Sequence, residues 1–432
     1  MENRQPPPIY KLQNTVQHYD WGSNTAISDL LGQPPDGRPA AELWLGAHPS
    51  APSLAIGTTG ANSMPLDALI RAQPTEMLGK RVLDNFGPEL PYLTKILSAE
   101  NALSLQVHPK AHLARAGFNR ENRLGIPKDA FERSFHDPRH KPEMIIALTE
   151  FEAMAGIRAP RAALKAISGF RSPLFTTLRA ALEADRITGA SRQAITCLLN
   201  LGTSPERSAL ITDALAEVTA KVATHPTKPH LADLADLANL ANHASLGDLG
   251  DLADRTVLLL ASQYGDDIGI FAPYLLNIVT LQPGESLFLP SGEIHAYIRG
   301  LGIEIMANSD NVLRAGLTHK HVATDALLEC MSFDAAHVTR PARAKIGAIS
   351  NGEVYRAPVG EFGLTLYDLV PTEPLPLADN GPRIVLNLAG EIALMHSGGS
   401  TVLTKGESAF VPHAVGAVEL GGAGKAFAAW VP

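Results

Sequence analysis

The apolar positions of the chain fall into three textures. Over about the first 155 residues they come in short runs broken by Gly, Pro and Asn, the punctuation of strands joined by tight turns. The segment LPYLTKILSAENALSLQVHP (90–109) reads as two strands joined by a turn at Ala99-Glu100-Asn101, and KPEMIIAL (141–148) as another strand. From about 157 to 262 Ala and Leu dominate, and PRAALKAISGF and SRQAITCLLNLG carry helical spacing. Ser204-Pro205-Glu206 supplies an N-cap, a first-turn proline and an early acid for the helix that follows. Within this block, HLADLADLANLANHASLGDLGDLADR (230–255) places Leu at nearly every third position. A strict period of three drifts around an α-helix, so the stretch reads as a helix with a broad apolar face or a loosely ordered insertion, without chemistry of its own. After Phe271 short β runs with Gly and Pro turns return and persist to Pro432. The pattern predicts a mainly β protein interrupted by a helical insertion.

Composition narrows the functional classes. A chain of 432 residues has length for two or three domains. The formal charge of −8 disfavours non-specific nucleic-acid or membrane binding, while leaving room for a local basic pocket. Two cysteines, Cys197 and Cys330, are too few for a disulfide framework or a cysteine-rich zinc site. MENRQPPPIYKL has no apolar core of a secretory signal, and no apolar run reaches membrane-spanning length. The expectation is a soluble, cytoplasmic chain without nucleic-acid or membrane partners, a monomer or weak homo-oligomer.

The first chemical signal is PGESLFLPSGEIHAY (283–297). Its spacing, G-x5-P-x-G-x2-H, suits tight corners between short strands of a closed β structure, with His295 at the start of the returning strand. It resembles the second motif of the cupin superfamily, small double-sheet jelly rolls that often hold a metal. KGESAFVPHAVGAVEL (405–420) repeats its first half, and the position equivalent to His295 is Ala417. His413, beside the repeated proline, is out of register. A second jelly roll lacking the ligand is therefore expected. In the first roll, Gln106 and His108 lie two apart on one strand and share a face. An isolated Gln-x-His is more often a pair of satisfied polar groups. With His295 as a third donor and Glu143 opening the strand after Pro142 as a fourth, the set suits zinc, with iron and manganese as the next choices.

Composition and spacing stop at a metal-holding β protein of unstated reaction. Longer blocks go further: VQHYDWGS (16–23), AELWLGAHPSAPS (41–53), the 90–114 stretch, DPRHKPEM (137–144) and SGEIHAYIRGLGIEIMANSDNVLRAGLTHKHV (291–322). In these blocks and their order the chain resembles the type I phosphomannose isomerase family. The resemblance implies a zinc-dependent interconversion of mannose 6-phosphate and fructose 6-phosphate through a cis-enediol, with one zinc per chain on Gln106, His108, Glu143 and His295. It places Trp21, Glu42, Lys95, Lys141, Tyr297, Glu304, Asp310, Arg314 and Lys320 around the substrate. It also implies a layout of two cupin-type jelly rolls and a helical domain: a catalytic roll over 1–156 and 263–330, a helical insertion over 157–262, and a degenerate roll over 331–432.

Roles follow from residue chemistry. Glu304, sharing a strand face with Met306 and opposite Ile303 and Ile305, is the first candidate for general base, and His140 the second. Lys141 would polarise a hydroxyl, and Asp310 and Lys320 would share the proton traffic of ring opening. Trp21 and Tyr297 would shape the bed of the sugar. Arg314 is expected to be the principal partner of the phosphate, with Lys95 and Ser104 as helpers. The rival readings are a cupin dioxygenase, which would favour iron and histidine where Gln106 stands, and a non-catalytic sugar-binding bicupin.

Overall fold

The computed structural model of the chain describes residues 8–57, 63–184, 189–224, 248–335, 337–378 and 381–432. Its strands form two antiparallel sheets with helices packed around them. In the first sheet the order is Leu276–Leu281, Phe151–Ile157, His295–Ala307, Tyr92–Ala99, Glu42–Gly46, Thr15–Gln17. Glu143–Ala147 and Leu105–Val107 also pair with His295–Ala307, and each carries one more strand, Ser286–Leu289 and Leu313–Gly316 respectively.

His295–Ala307 is the spine. Its first residue pairs with Gln106 on one side and Ala155 on the other. Its second half, Gly300–Ala307, pairs with Tyr92–Ala99, and Gly302–Met306 pairs with Glu143–Ala147. The two strands expected within 90–109 are present, but they pair with the spine and not with each other. The connection is drawn aside because Glu100 and Asn101 donate their amides to Trp21 O, and Leu103 donates to Tyr297 O.

Alternation along these strands separates two cores. Leu97, Ile145, Ala147, Phe151, Ala153, Leu287, Leu289 and Tyr297 face the interior of the first sheet. Ile96, Met144, Ile146, Ile303 and Ile305 face the other way and pack with Leu364, Ile384, Leu386, Phe410 and Phe427 of the second sheet. That second sheet is built on Arg383–His396 and Val418–Trp430. It also takes in Tyr10–Gln13, which pairs with Ser408–Val411, and then Leu54–Ile56 and Ser63–Pro65.

The helical block comprises Pro160–Ala166, Pro173–Ala184, Ala190–Gly202, Arg207–Thr224 and Asp248–Tyr264, closed around Phe170, Phe175, Leu178, Ile195, Leu198, Ile211, Val257 and Leu260. Ser204 Oγ accepts from the amide of Glu206, just ahead of the helix that starts at Arg207. Most of the period-three repeat lies outside the described residues; its end, from Asp248, is helical. Helices also form at Leu66–Ala72, Pro74–Leu78, Lys80–Phe86 and Ala111–Arg123, where the sequence pattern suggested strands and turns. Ala111–Arg123 fully buries only Ala114, Gly117 and Glu121, with Leu113 and Phe118 half-buried beside them. It fits because a Cβ on Gly117 would fall 2.5 Å from the Phe135 ring, and because Glu121 accepts the amides of Ser134 and Phe135.

The internal repeat is visible in register. Gly284 and Gly406 both have φ 83°, open to glycine and disfavoured for other residues. Leu289 pairs with Glu143, and Val411, at the equivalent position, pairs with Arg383. The buried guanidinium of Arg383 thus stands in the second sheet where a candidate metal ligand stands in the first. It donates to the carbonyls of Pro412 (2.8 Å), Gly416 (3.1 Å) and Ala378 (3.2 Å).

Candidate metal centre and sugar pocket

His108, Glu143 and His295 are each buried, and each offers a ligand atom within 4.8 Å of the others. Each comes from a different strand end: His108 just past Leu105–Val107, Glu143 at the start of its strand, His295 at the start of the spine. His108 Nε2 lies 3.1 Å from Glu143 Oε1, and His295 Nε2 lies 3.3 Å from Glu143 Oε2. Despite this proximity, His108 Nε2, His295 Nε2 and Glu143 Oε2 have no hydrogen-bond partner. Three buried orphan atoms converging on one point are costly unless something else satisfies them.

The outer ring nitrogens are occupied. His108 Nδ1 lies 2.6 Å from Asn311 O, and His295 Nδ1 lies 3.0 Å from Glu293 O. With Nδ1–H donating to a carbonyl, each Nε2 presents a lone pair inward, the arrangement a metal requires. Burial and the neighbouring Lys141 ammonium push the His108 pKa down to about 4, so its ring is neutral. Burial opposes the charge on Glu143, but the Lys141 ammonium, 3.2 Å from Oε1, favours it, and the carboxyl is held well below its ordinary range. Gln106 lies directly across from His295 on one side and Arg314 on the other. Cross-strand partners share a face, so the Gln106 side chain belongs to the same row. The donor set of two imidazoles, a carboxylate and an amide fits zinc.

A second polar cluster sits beside the first on the same interior face. Lys95 Nζ lies 3.1 Å from Glu42 Oε1 and 3.4 Å from Glu304 Oε2, and 5.1 Å from the centre of the Trp44 ring. Trp44 Nε1 donates to Glu42 Oε2 at 2.7 Å. Burial works against the Lys95 charge, but Glu42 and Glu304 more than restore it, raising its pKa. Burial lifts Glu304 to about 7 against the pull of Lys95, with the negative charges of Glu143 and Glu42 adding to the rise. Tyr297, 1% exposed, turns an unpartnered hydroxyl into this space. Burial and the Glu304 charge keep its phenol protonated well above the usual range.

Other residues singled out from sequence lie further out. Arg314 and Lys320 line one cavity of about 240 Å³ with His136, Ser134 and Phe131. Arg314 is half-buried, and no ion pair joins it to another described residue; burial lowers its pKa. Lys320 is exposed. Asp310 Oδ1 lies 3.2 Å from His48 Nε2, and His140 Nε2 lies 2.6 Å from Glu361 Oε1 of the C-terminal region. Trp21 stacks on Tyr19 with ring centres 5.7 Å apart. Ser104 is half-buried on the lead-in to Gln106. Four contributors had gone unassigned in the sequence: Trp44, His48, Asn311 and Glu361. His48, Asn311 and Glu361 act on residues distant in sequence, which spacing does not reveal, whereas Trp44 lies two residues from Glu42 on the same strand, a spacing the sequence did offer.

The profile of the catalytic domain of phosphomannose isomerase type I matches residues 9–160. The mannose-6-phosphate isomerase of Salmonella typhimurium is 36% identical over 96% of this chain and 98% of its own length. Mannose-6-phosphate isomerase 1 of Arabidopsis thaliana is 31% identical over 94% of this chain and 89% of its own. A crystal structure of the Salmonella enzyme bound to substrate (F6P) and zinc superposes with a TM-score of 0.81 at 33% identity, covering 98% of this chain and 99% of that one. Those relatives match the metal-holding fold described above across nearly its whole length, and the chain belongs to the type I phosphomannose isomerase family.

Proposed function

We propose that this protein is a zinc-dependent aldose–ketose isomerase that interconverts D-mannose 6-phosphate and D-fructose 6-phosphate through a cis-enediol. The observation that carries the reading is the orphaned inward face of His108, Glu143 and His295 beside the buried Glu304–Lys95–Glu42 cluster. Gln106, His108, Glu143 and His295 would hold zinc, which supplies electrophilic stabilisation of oxygen charge in a dry pocket.

Glu304 is the base that takes the proton from C2 and returns it to C1. Burial raises its pKa toward neutrality, matching proton affinity to the task. Lys95 holds Glu304 and Glu42 in place between the strands, leaving the sugar phosphate to other cations. Tyr297 donates its unpartnered hydroxyl to a sugar oxygen, and Trp21 and Ser104 line the approach. Lys141 neutralises Glu143 and reaches a substrate hydroxyl from the same edge. Asp310 with its His48 partner, and Lys320, serve ring opening at the mouth. His140 is held by Glu361, which makes it a weaker candidate for base than Glu304. Arg314 grips the phosphate.

The two sheets fit two cupin-type jelly rolls. The catalytic one takes residues 1–156 and 263–330, the helical insertion 157–262, and the degenerate one 331–432, with Tyr10–Gln13, Leu54–Ile56 and Ser63–Pro65 lending strands to the last. No helix among the described residues is long and apolar enough to cross a membrane. A phosphosugar substrate, which membranes retain, fits a cytoplasmic enzyme.

Incubation with mannose 6-phosphate in deuterium oxide tests this directly. The reading expects fructose 6-phosphate carrying solvent deuterium at C1. A dioxygenase or a binding-only bicupin would give no isomerisation, and ketose formed without any solvent label after prolonged equilibration would rule out an exchangeable base.

A further inference from the structure

The strand that carries Arg314 ends in a strained corner. Its pairing with Leu105–Val107 slips between Arg314 and Gly316. Gly316 has φ 154°, and Leu317 follows at φ 54°, the one non-glycine residue with positive φ among those described. The left-handed region is disfavoured for leucine, and this side chain is buried, so its surroundings must hold the conformation.

Asp267 holds it. Its Oδ2 accepts the amide of Thr318 at 3.1 Å, and its Oδ1 accepts the amide of Gly269 at 2.7 Å. The fit leaves no slack: a Cβ on Gly316 would lie 3.0 Å from Asp267 Oδ1 and 3.2 Å from Gly269 Cα. The segment bearing Asp267 leaves the last helix of the insertion and is itself anchored twice. Asp266 accepts from Arg207 and from Ser208 Oγ of the neighbouring helix. Gln263 Oε1 accepts the amide of Ala102 at 2.9 Å, and the Tyr264 hydroxyl donates to Ala102 O at 2.6 Å. One short stretch at the exit of the insertion thus grips the backbone ahead of Gln106 and behind Arg314, on two strands that pair with each other.

We propose that Asp267 is a positioning residue for phosphate recognition: it locks the 316–320 corner so that Arg314 and Lys320 converge on one anion. The inference rests on the reading of Arg314 as the phosphate partner. It gives the segment that leaves the helical insertion a part in substrate recognition, although none of the assigned pocket residues lies on the helices before it. Without two acceptors at this point, Leu317 is free to return to negative φ. The chain beyond Arg314 then changes direction, and Lys320 leaves the cavity.

Asp267→Asn tests it with little change in shape, because an amide offers one oxygen to two backbone donors. The Michaelis constant for mannose 6-phosphate and the inhibition constant for inorganic phosphate should rise together by about tenfold, the scale of one lost charge-assisted hydrogen bond. Turnover at saturation and zinc per chain should stay within about twofold. Asp267→Ala should go further in the same direction; should it not fold, Asp267→Asn carries the test alone. Arg314→Ala is measured alongside. A rise with Asp267→Asn but not with Arg314→Ala would keep the clamp, acting through Lys320, and overturn the assignment of Arg314. An unchanged phosphate inhibition constant in Asp267→Asn, whether the protein melts lower or turns over more slowly, would overturn the clamp while leaving the assignment of Arg314 to its own variant.

Discussion

Glu304 and Lys95 are direct cross-strand partners, and the lysine amine also reaches Glu42. A carboxylate this buried is a poor acid and a competent base only while a cation stands next to it. Glu304→Gln keeps the shape and removes the base, so turnover should fall at least about a hundredfold, within the usual range for loss of general-base catalysis, with zinc still bound. Lys95 lowers the Glu304 pKa. Removing it in Lys95→Met should raise that pKa, and a base must be deprotonated to act. The acid limb of kcat/KM should therefore move to higher pH; a limb that stays put or moves down would show that Glu304 is not the titrating base. At this scale the sequence was informative where chemistry obeys spacing. His108, His295 after its Gly-Pro corner, and Glu143 after Pro142 converge, and Gln106, two before His108, lies directly across from His295. It was silent where a residue acts from afar. Asn311 holds His108 through a backbone carbonyl, and Glu361 reaches His140 from the C-terminal region.

Among the elements, the repeated strand–turn–strand unit is the most telling, because one register gives two different interiors. Where Glu143 would help hold a cation in the first sheet, Arg383 is itself a cation in the second, satisfied by the carbonyls of Pro412, Gly416 and Ala378. The repeat of Gly, Ser, Phe and Pro was legible, as was Ala417 in place of His295; the substitution of Arg383 for Glu143 emerges only from strand pairing. Arg383→Met should strand those carbonyls and cost at least about 2 kcal/mol of stability, read as a lower denaturant midpoint, while zinc per chain stays unchanged. Loss of zinc in this variant would mean that the two sheets are not independent in the way the register suggests. The helix Ala111–Arg123 escaped sequence reading for a related reason. Its fully buried residues are Ala114, Gly117 and Glu121, and with Leu113 and Phe118 as the only large apolar side chains packed on the core from this helix, apolar periodicity registers it weakly.

Across the whole molecule, a chain of net charge −8 handles a dianion. Long-range attraction is absent, so recognition depends on a few cations placed locally. Lys95 and Lys141 are held by carboxylates, which leaves Arg314 and Lys320, lining a cavity of their own, as the cations proposed for the phosphate. The same economy applies to metal. Among the described residues one group of His, Cys, Asp and Glu side chains converges as a metal site, in the first sheet, and the second sheet carries Ala417 and Arg383 at the equivalent positions. The most direct measurement is a zinc titration of metal-stripped protein, with bound metal and conversion of mannose 6-phosphate followed together, on the parent chain and on His295→Ala. Activity should rise in step with binding and saturate at one zinc per chain, while His295→Ala neither retains zinc nor isomerises. Full activity in the metal-free protein, saturation at two zinc ions per chain, or an active His295→Ala would contradict the account.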